Sequence, residues 1–225
     1  MGEGKMMERV VEPEIMDGEE QALAYAQADF SQENQAFVDH FLAAYPDCLE
    51  GHVLDLGCGP ADIPLRLIRA RPGLRVTGVD ASAPMIRLAE EAKRNAGSPE
   101  RLTLRCQRFQ DLALEEPVDA IVSNSLVHHV PNPLQFWYAV KTLAKTGVPV
   151  LVIDLLRPES CEAARAIVEQ YGASESEQLR TDFYNSLLSA FTEDEVAAQL
   201  GELNLSRLLI DVFDDRHWMV KGQVT

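Results

Sequence analysis

Two glycines and a distant carboxylate are the residues whose types and spacing best suit ligand chemistry. Gly57 and Gly59 directly follow the short, mainly apolar segment 53–56, and Asp80 ends a second apolar segment twenty-one positions after Gly59. A glycine turn lets the backbone approach a ligand closely, and the helix that follows offers its positive N-terminal end. A carboxylate at this offset is placed to accept two hydrogen bonds from a ribose diol. The pattern therefore predicts a site for a nucleotide-like ligand.

Such a site needs a sheet that brings several strand ends to one edge, and the chain has the pattern of one. Apolar segments alternate with helical patterns from about residue 52 to 155, which predicts a parallel sheet with helices on both faces. The fold class is therefore predicted to be α/β: a doubly wound seven-stranded sheet, mostly parallel, with one antiparallel strand near the C-terminus. The predicted strands are 52–56, 75–79, 102–106, 119–123, 148–155, 205–212 and 217–220.

Three segments, in the right order, resemble motifs of the class I S-adenosylmethionine-dependent methyltransferases. They are the glycine turn Asp55–Pro60, the acid Asp80, and the fourth strand with its loop, 119–130. The resemblance covers about residues 50 to 156. It implies a Rossmann-like fold, S-adenosyl-L-methionine as cofactor, and methyl transfer to a small molecule. The chain departs from the family's pattern at Ala61, where a third glycine is common.

The resemblance also implies which residues contact the cofactor. Asp80 corresponds to the ribose-binding acid, and Tyr25 lies in the helix before the first strand, from which a tyrosine often reaches the cofactor in similar proteins. The family usually has an acid for the adenine amino group where this chain has Arg108, so the Phe109 amide or a stacked side chain is expected to serve the ring. The expected cofactor-binding set is Tyr25, Asp55, Gly57, Cys58, Gly59, Asp80, Ala81, Met85, Arg108, Phe109 and Ser123.

Methyl transfer from a sulfonium is an in-line displacement, and an acceptor that carries a proton benefits from a base. His128 and His129, just past the fourth strand, are catalytic candidates because histidine titrates near neutral pH. Histidines in such positions often only pack against the cofactor. Asp154, at the end of the fifth strand, is the third candidate. One acid there supplies too few oxygen ligands for a metal ion, so no metal site is expected.

Two other functions fit the same residues less well. A dinucleotide-binding dehydrogenase needs a third glycine where this chain has Asp62, whose charge would repel a pyrophosphate. The alternative from another class is a non-catalytic S-adenosylmethionine-binding sensor or partner subunit. The unusual Arg108 keeps that alternative open.

Composition limits the partners and the location. A net charge of -16 and a pI of about 4.6 disfavour binding to nucleic acid. The four cysteines form no Cys-x-x-Cys pair, which indicates reduced thiols and a cytoplasmic location. No signal peptide and no apolar run long enough for a bilayer is recognisable. The expected partner is a small-molecule methyl acceptor, without nucleic acid or membrane, and the chain is expected to be a monomer or homodimer.

A single methyltransferase domain is predicted to span residues 1–225. Its predicted parts are a mobile arm (1–17), an N-terminal helical lid (18–47), a cofactor-binding core (50–156), a helical insertion over the site (158–202) and a closing β-hairpin (203–221).

Overall fold

The computed structural model describes residues 7–13, 15, 17–97 and 99–225. Residues 1–6, 14 and 16 of the predicted arm therefore lie outside the described part. The helices are α1 (Glu19–Gln27), α2 (Ser31–Ala44), α3 (Asp62–Ala70), α4 (Ala83–Ala96), α5 (Pro133–Leu143), α6 (Cys161–Tyr171), α7 (Glu177–Ser189) and α8 (Glu193–Glu202). The strands are β1 (Glu50–Leu56), β2 (Gly73–Asp80), β3 (Leu102–Cys106), β4 (Ala120–Asn124), β5 (Pro149–Leu155), β6 (Leu208–Val212) and β7 (His217–Gln223). Short 3-10 helices occur at Pro99–Arg101, Phe109–Asp111 and Val127–His129.

The described strands form one sheet in the order β3-β2-β1-β4-β5-β7-β6. β1 to β5 pair in parallel, whereas β7 runs antiparallel to both β5 and β6. The predicted fold class, with one reversed strand near the C-terminus, is thus confirmed. Strand order changes direction between β1 and β4, and ligands bind at such a switch point in doubly wound sheets.

Helices cover both faces of the sheet, as the uninterrupted apolar character of its central strands requires. One face packs on α2, α3 and α4, with Phe41, Leu67 and Ala89 in its core. The opposite face packs on α5 and α8, where Trp137 is completely buried. α6 and α7 form a separate apolar cluster around Leu155, at the carboxyl end of β5. The carboxyl edge therefore has a helical cover of its own.

Local signals in the sequence set several element boundaries. Ser82 caps the start of α4, because its hydroxyl accepts a hydrogen bond from the Met85 amide at 3.2 Å. Thr192 and Glu195 form a capping box at the start of α8. A short break at residues 28–30 separates α1 from α2. Among the described helices, none combines the length and apolar character that crossing a bilayer requires.

Candidate active site

A cavity of about 530 Å³ lies at the carboxyl edge of the sheet, beside the switch point between β1 and β4. The loops after β1, β2 and β4 contribute to its lining, together with α1, α2, α7 and the β6–β7 hairpin. A second cavity of about 480 Å³ lies on the α3 side and shares Tyr25, Gly57 and Gly59 with the first. Residues of the predicted N-terminal helical lid and of the predicted helical insertion thus line the same cavity as the glycine turn.

The glycine turn and Asp80 form one hydrogen-bonded unit. Gly57 and Gly59 have φ values of +76° and +48°, the left-handed region that glycine adopts without strain. The Gly59 amide donates to Asp80 Oδ2 at 2.9 Å, and the Ser82 amide donates to Asp80 Oδ1 at 2.8 Å. Burial raises the pKa of Asp80 despite these two donors. A Cβ built on Gly59 would meet nothing within 4 Å, so the turn leaves open space beside the carboxylate.

Asp55 is a buried acid near the end of β1, and it lines the smaller cavity with Cys58. Burial, together with the charge of Asp80, raises the pKa of Asp55 to about 8. Burial also raises the pKa of the Cys58 thiol, which keeps that thiol protonated and unreactive. A buried carboxylate next to another acid favours a cationic ligand group in this cavity.

Replacing Asp55 with asparagine is expected to stabilise the ligand-free chain at alkaline pH. Because the folded pKa is raised, the wild-type contribution is complete below the ordinary value of 3.8 and is lost as the pH rises towards 8. The variant should therefore match the wild type near pH 4 and exceed its free energy of unfolding by roughly 2 kcal/mol or more near pH 9. Urea unfolding across this range measures the difference, with the exposed Asp111→Asn as the matched control. Parallel pH curves for wild type and Asp55→Asn would contradict this assignment.

The expected adenine-side residues lie along the larger cavity. Ala81, Met85, Arg108 and Phe109 all line it. The Phe109 ring also packs edge-on against Phe136, with centroids 5.8 Å apart, which fixes its position in the core. These four residues follow β2 and β3, so they continue the surface that begins at Asp80.

Tyr25 lines both cavities from α1, and its ring centroid lies 4.9 Å from that of Phe30. Burial raises the pKa of Tyr25 to about 12, so its hydroxyl stays neutral and can donate a hydrogen bond. This position agrees with a cofactor contact.

The prediction for Ser123 requires a correction. Its side chain is completely buried within β4 and lines neither cavity. The hydroxyl donates to the Leu56 carbonyl at 2.7 Å and so ties β4 to the end of β1. The next residues, Asn124 and Ser125, are the ones that line the larger cavity.

Asp154 also requires a correction, because it is completely buried behind His128 and does not line the cavity. Its Oδ1 lies 2.5 Å from His128 Nδ1, while the Val127 and Leu155 amides donate to the same carboxylate. Burial would raise the pKa of Asp154, but the charge of His128 and these donors hold it below the ordinary value. Asp154 orients His128 and has no access to an acceptor.

His128 and His129 both line the cavity, with ring centroids 4.2 Å apart. Burial lowers the pKa of His128, but the charge and hydrogen bond of Asp154, with Glu12, outweigh it and raise the pKa. Burial, assisted by the charge of His128, lowers the pKa of His129 to about 3. The neighbouring imidazoles therefore differ in protonation: His129 is neutral at working pH, and His128 retains a proton more readily.

A third group, Glu12, reaches the two histidines from the N-terminal segment. Its Oε1 lies 3.6 Å from His128 Nε2 and 3.2 Å from His129 Nδ1. The same oxygen accepts hydrogen bonds from Ser186 at 3.1 Å and Ser189 at 3.0 Å, both on α7. The cavity thus contains a cluster of two imidazoles and one carboxylate.

Residues 9–13, named here the N-terminal strap, hold Glu12 in place. The Arg9 guanidinium donates to the carbonyls of His128, Val130 and Ser189, and it stacks 4.0 Å from the Phe191 ring centroid. The Val10 amide donates to the Leu188 carbonyl. The predicted mobile arm therefore needs correction over these residues, because they pack against the site. Glu12 was not identified from the sequence, because a short segment without regular secondary structure shows no periodicity.

Comparison with known proteins gives a consistent family. Residues 50–193 match the family described as "Methyltransferase domain". The ubiquinone biosynthesis O-methyltransferase of Xanthomonas campestris pv. campestris (strain B100) is 30% identical over 121 residues, which are 53% of this chain and 49% of that protein. An uncharacterized methyltransferase of Staphylococcus carnosus (strain TM300) is 28% identical over 171 residues, covering 70% and 77% of the two chains. The chain matches about half the length of the first of these relatives.

Solved structures show the same fold at low sequence identity. The plantazolicin methyltransferase BpumL, in complex with a triazolic desmethylPZN analog and SAH, superposes with a TM-score of 0.65 at 13% identity, covering 90% of each chain. A SAM dependent methyltransferase from Aquifex aeolicus gives a TM-score of 0.65 at 17% identity, covering 91% of this chain and 98% of that one.

Proposed function

The chain belongs to the methyltransferase domain family, and from that premise we propose that it transfers a methyl group from S-adenosyl-L-methionine to a small-molecule acceptor. The observation that carries the proposal is the hydrogen-bonded unit of Gly59 and Asp80 beside open space at the sheet's switch point. This unit offers backbone close enough for a nucleoside and a carboxylate for its ribose diol.

The residues at the carboxyl edge fit this cofactor. Asp80 accepts the ribose hydroxyls, and the buried Asp55 favours the cofactor's positively charged methionine portion. Gly57 and Gly59 allow close approach of the backbone, with Cys58 between them. The remaining residues proposed to contact the cofactor are Tyr25, Ala81, Met85, Arg108 and Phe109. When bound, S-adenosyl-L-methionine supplies a methyl group already activated on a sulfonium.

The protein's own contribution is orientation, exclusion of water and handling of the acceptor's proton. Residues of α1, α2 and α7 surround the cavity and shield the acceptor from solvent. We assign the proton to the cluster of His128, His129 and Glu12, with Asp154 orienting His128 from behind. A proton to lose implies a hydroxyl, amine or thiol acceptor. The O-methyltransferase name of the relatives favours a hydroxyl.

Partners and location follow from charge and size as proposals. A net charge of -16 opposes nucleic acid as acceptor, and a cavity of about 530 Å³ suits a small molecule. We propose a cytoplasmic monomer or homodimer that acts without nucleic acid or membrane.

Calorimetric titration with S-adenosylmethionine, its demethylated product SAH, and NAD tests the cofactor proposal. Binding of the first two, without NAD, is expected. Product formation is then measured with a panel of hydroxylated aromatic acceptors. Binding to NAD alone would reject the proposed cofactor, and cofactor binding without turnover of any acceptor would favour the sensor alternative.

A pair of glycine variants isolates the steric part of the proposal. Gly59→Ala and Gly97→Ala both place a Cβ at positive φ, +48° and +64°, with nothing within 4 Å, so both should cost about 1 kcal/mol of stability. Of these two glycines, Gly59 borders both cavities and Gly97 borders neither. We expect Gly59→Ala to weaken S-adenosylmethionine binding by about tenfold or more, since an added methyl intrudes on the ligand. Equal affinities of the two variants would place the ligand elsewhere.

A further inference from the structure

Three potential ligand atoms converge in the cavity at distances that suit a shared cation. One potential ligand atom from each of His128, His129 and Glu12 lies within 4.8 Å of the other two. His128 Nε2 and His129 Nδ1 are 3.6 Å and 3.2 Å from Glu12 Oε1. Ligand atoms about 2.1 Å from one tetrahedral ion lie roughly 3.4 Å apart. The two distances to Glu12 are therefore close to those between ligands of one such ion.

The other contacts of the two imidazoles assign their tautomers. His128 Nδ1 faces Asp154 at 2.5 Å and donates its hydrogen there, so Nε2 carries the lone pair in the neutral ring. The backbone of Pro13 interacts with the His129 ring, and the buried Nδ1 of that ring has no hydrogen-bond partner among the described residues. We therefore assign the ring hydrogen to Nε2, which leaves the lone pair on Nδ1. Although Glu12 lies 3.2 Å from Nδ1, the contact lacks hydrogen-bond geometry.

In the neutral rings two imidazole lone pairs thus face one carboxylate oxygen, an arrangement that a positive charge between them stabilises, whether a proton on His128 Nε2 or a bound cation. Each ligand also has the outer partner that metal ligands usually have: Asp154 behind His128, the Pro13 backbone behind His129, and the α7 hydroxyls of Ser186 and Ser189 behind Glu12. Glu12 and Asp154 contribute two negative charges nearby, and Arg9 contributes one positive charge.

We propose that Glu12, His128 and His129 bind one divalent cation of the zinc class, with an open coordination position that faces the acceptor. Three protein ligands leave such a position, and all three residues line the cavity. No metal site was expected from the sequence because Asp154 was the one acid considered. In the structure Asp154 contacts His128 Nδ1 and is not itself a proposed ligand. The proposed ligands are two nitrogens and one oxygen, a set found in catalytic zinc sites, whereas structural zinc sites mostly use cysteine sulfur.

The cation's role in turnover rests on the proposed function, whereas its binding does not. A hydroxyl acceptor at the open position would become more acidic. With the cation bound, the three side chains are its ligands and do not take the proton themselves, so the O–H bond breaks and the proton passes to water. The oxygen then forms the bond to the methyl group, while the electron pair of the broken S–C bond stays on sulfur. This assignment names an oxygen acceptor as the substrate class.

Titration with Co²⁺ after removal of metals by chelator tests the site directly. We expect the wild-type protein to bind about one equivalent and to show visible absorption bands of a cobalt ion with nitrogen and oxygen ligands. Glu12→Gln and His129→Ala should each lose this binding, and circular dichroism confirms that they fold. The matched controls are His40→Ala and Glu175→Gln, which alter other cavity-lining residues and should retain the bands.

Binding of less than about a tenth of an equivalent of Co²⁺ by the wild type, or equal binding by Glu12→Gln, would overturn the proposed metal site. A proton shared between the imidazoles and Glu12 would then account for the cluster. Calorimetry with S-adenosylmethionine on the same samples keeps the two proposals separate, because cofactor binding uses Asp80 and needs no cation. Turnover that persists undiminished in chelator would likewise reject the cation's catalytic role while leaving methyl transfer intact.

Discussion

Replacing Asp80 with alanine is expected to weaken S-adenosylmethionine binding by at least about 100-fold. A carboxylate that accepts two ribose hydroxyls makes two charge-assisted hydrogen bonds, each worth about 1.5–3 kcal/mol, and 3 kcal/mol is already more than a hundredfold in affinity. The same carboxylate positions the amides of Gly59 and Ser82, so its loss also loosens the turn. Both effects act in the same direction. Calorimetric titration of the variant measures the sum.

A matched acid and a stability measurement separate ligand contact from general damage. Asp111→Ala removes an exposed carboxylate that lines neither cavity, so its affinity should equal that of the wild type. Thermal unfolding of Asp80→Ala without ligand shows how much the turn itself contributes. An affinity within threefold of the wild type in a folded Asp80→Ala protein would falsify the ribose assignment.

Replacing His128 with asparagine should lower turnover by about 10²–10⁴-fold while leaving cofactor affinity nearly unchanged. The asparagine amide can still donate to Asp154, so the buried carboxylate keeps a partner, whereas the Nε2 lone pair is lost. His128→Ala is a poorer test, because an unpaired buried Asp154 costs about 3–5 kcal/mol of stability. Single-turnover rates and the dissociation constant for S-adenosylmethionine, measured on the same sample, give the comparison.

The His128→Asn experiment is interpreted by comparing the change in single-turnover rate with the change in affinity for S-adenosylmethionine. A loss of both in equal measure would mean that His128 shapes the cofactor pocket and does not act on the acceptor. A wild-type rate in a folded His128→Asn protein would remove the cluster from the reaction altogether. Neither result would affect the assignment of Asp80.

The parts of the molecule that sequence predicts well depend on local signals. The glycine turn lies next to β1 in the chain, and Ser82 or Thr192 cap helices within three residues of themselves. Alternation of strands and helices then fixes the parallel sheet and places Asp80 beside Gly59, because neighbouring parallel strands end at the same edge. The cofactor side of the site follows from these features.

The acceptor side depends on contacts that no local pattern encodes. Glu12 meets His128 through packing of residues more than a hundred positions apart, and the strap that carries it has neither helical nor strand periodicity. The roles of Ser123 and Asp154 depended on burial. Both lie at strand ends where residue type alone suits a ligand, but both point to internal partners, Leu56 and His128.

The N-terminal strap also constrains the order in which parts of this protein fold. Arg9 contacts Ser189, 180 positions away, so the strap's docking site does not exist until α7 has been synthesised and folded. Closing so long a loop costs chain entropy, which only a nearly finished domain compensates. The strap, which is synthesised before the sheet and before α7, is therefore among the last described parts to reach its native place, and the acceptor cluster forms after the sheet. In the folded protein the same strap is expected to open before the core does, and the protection of the Val10 amide from hydrogen exchange reports that opening.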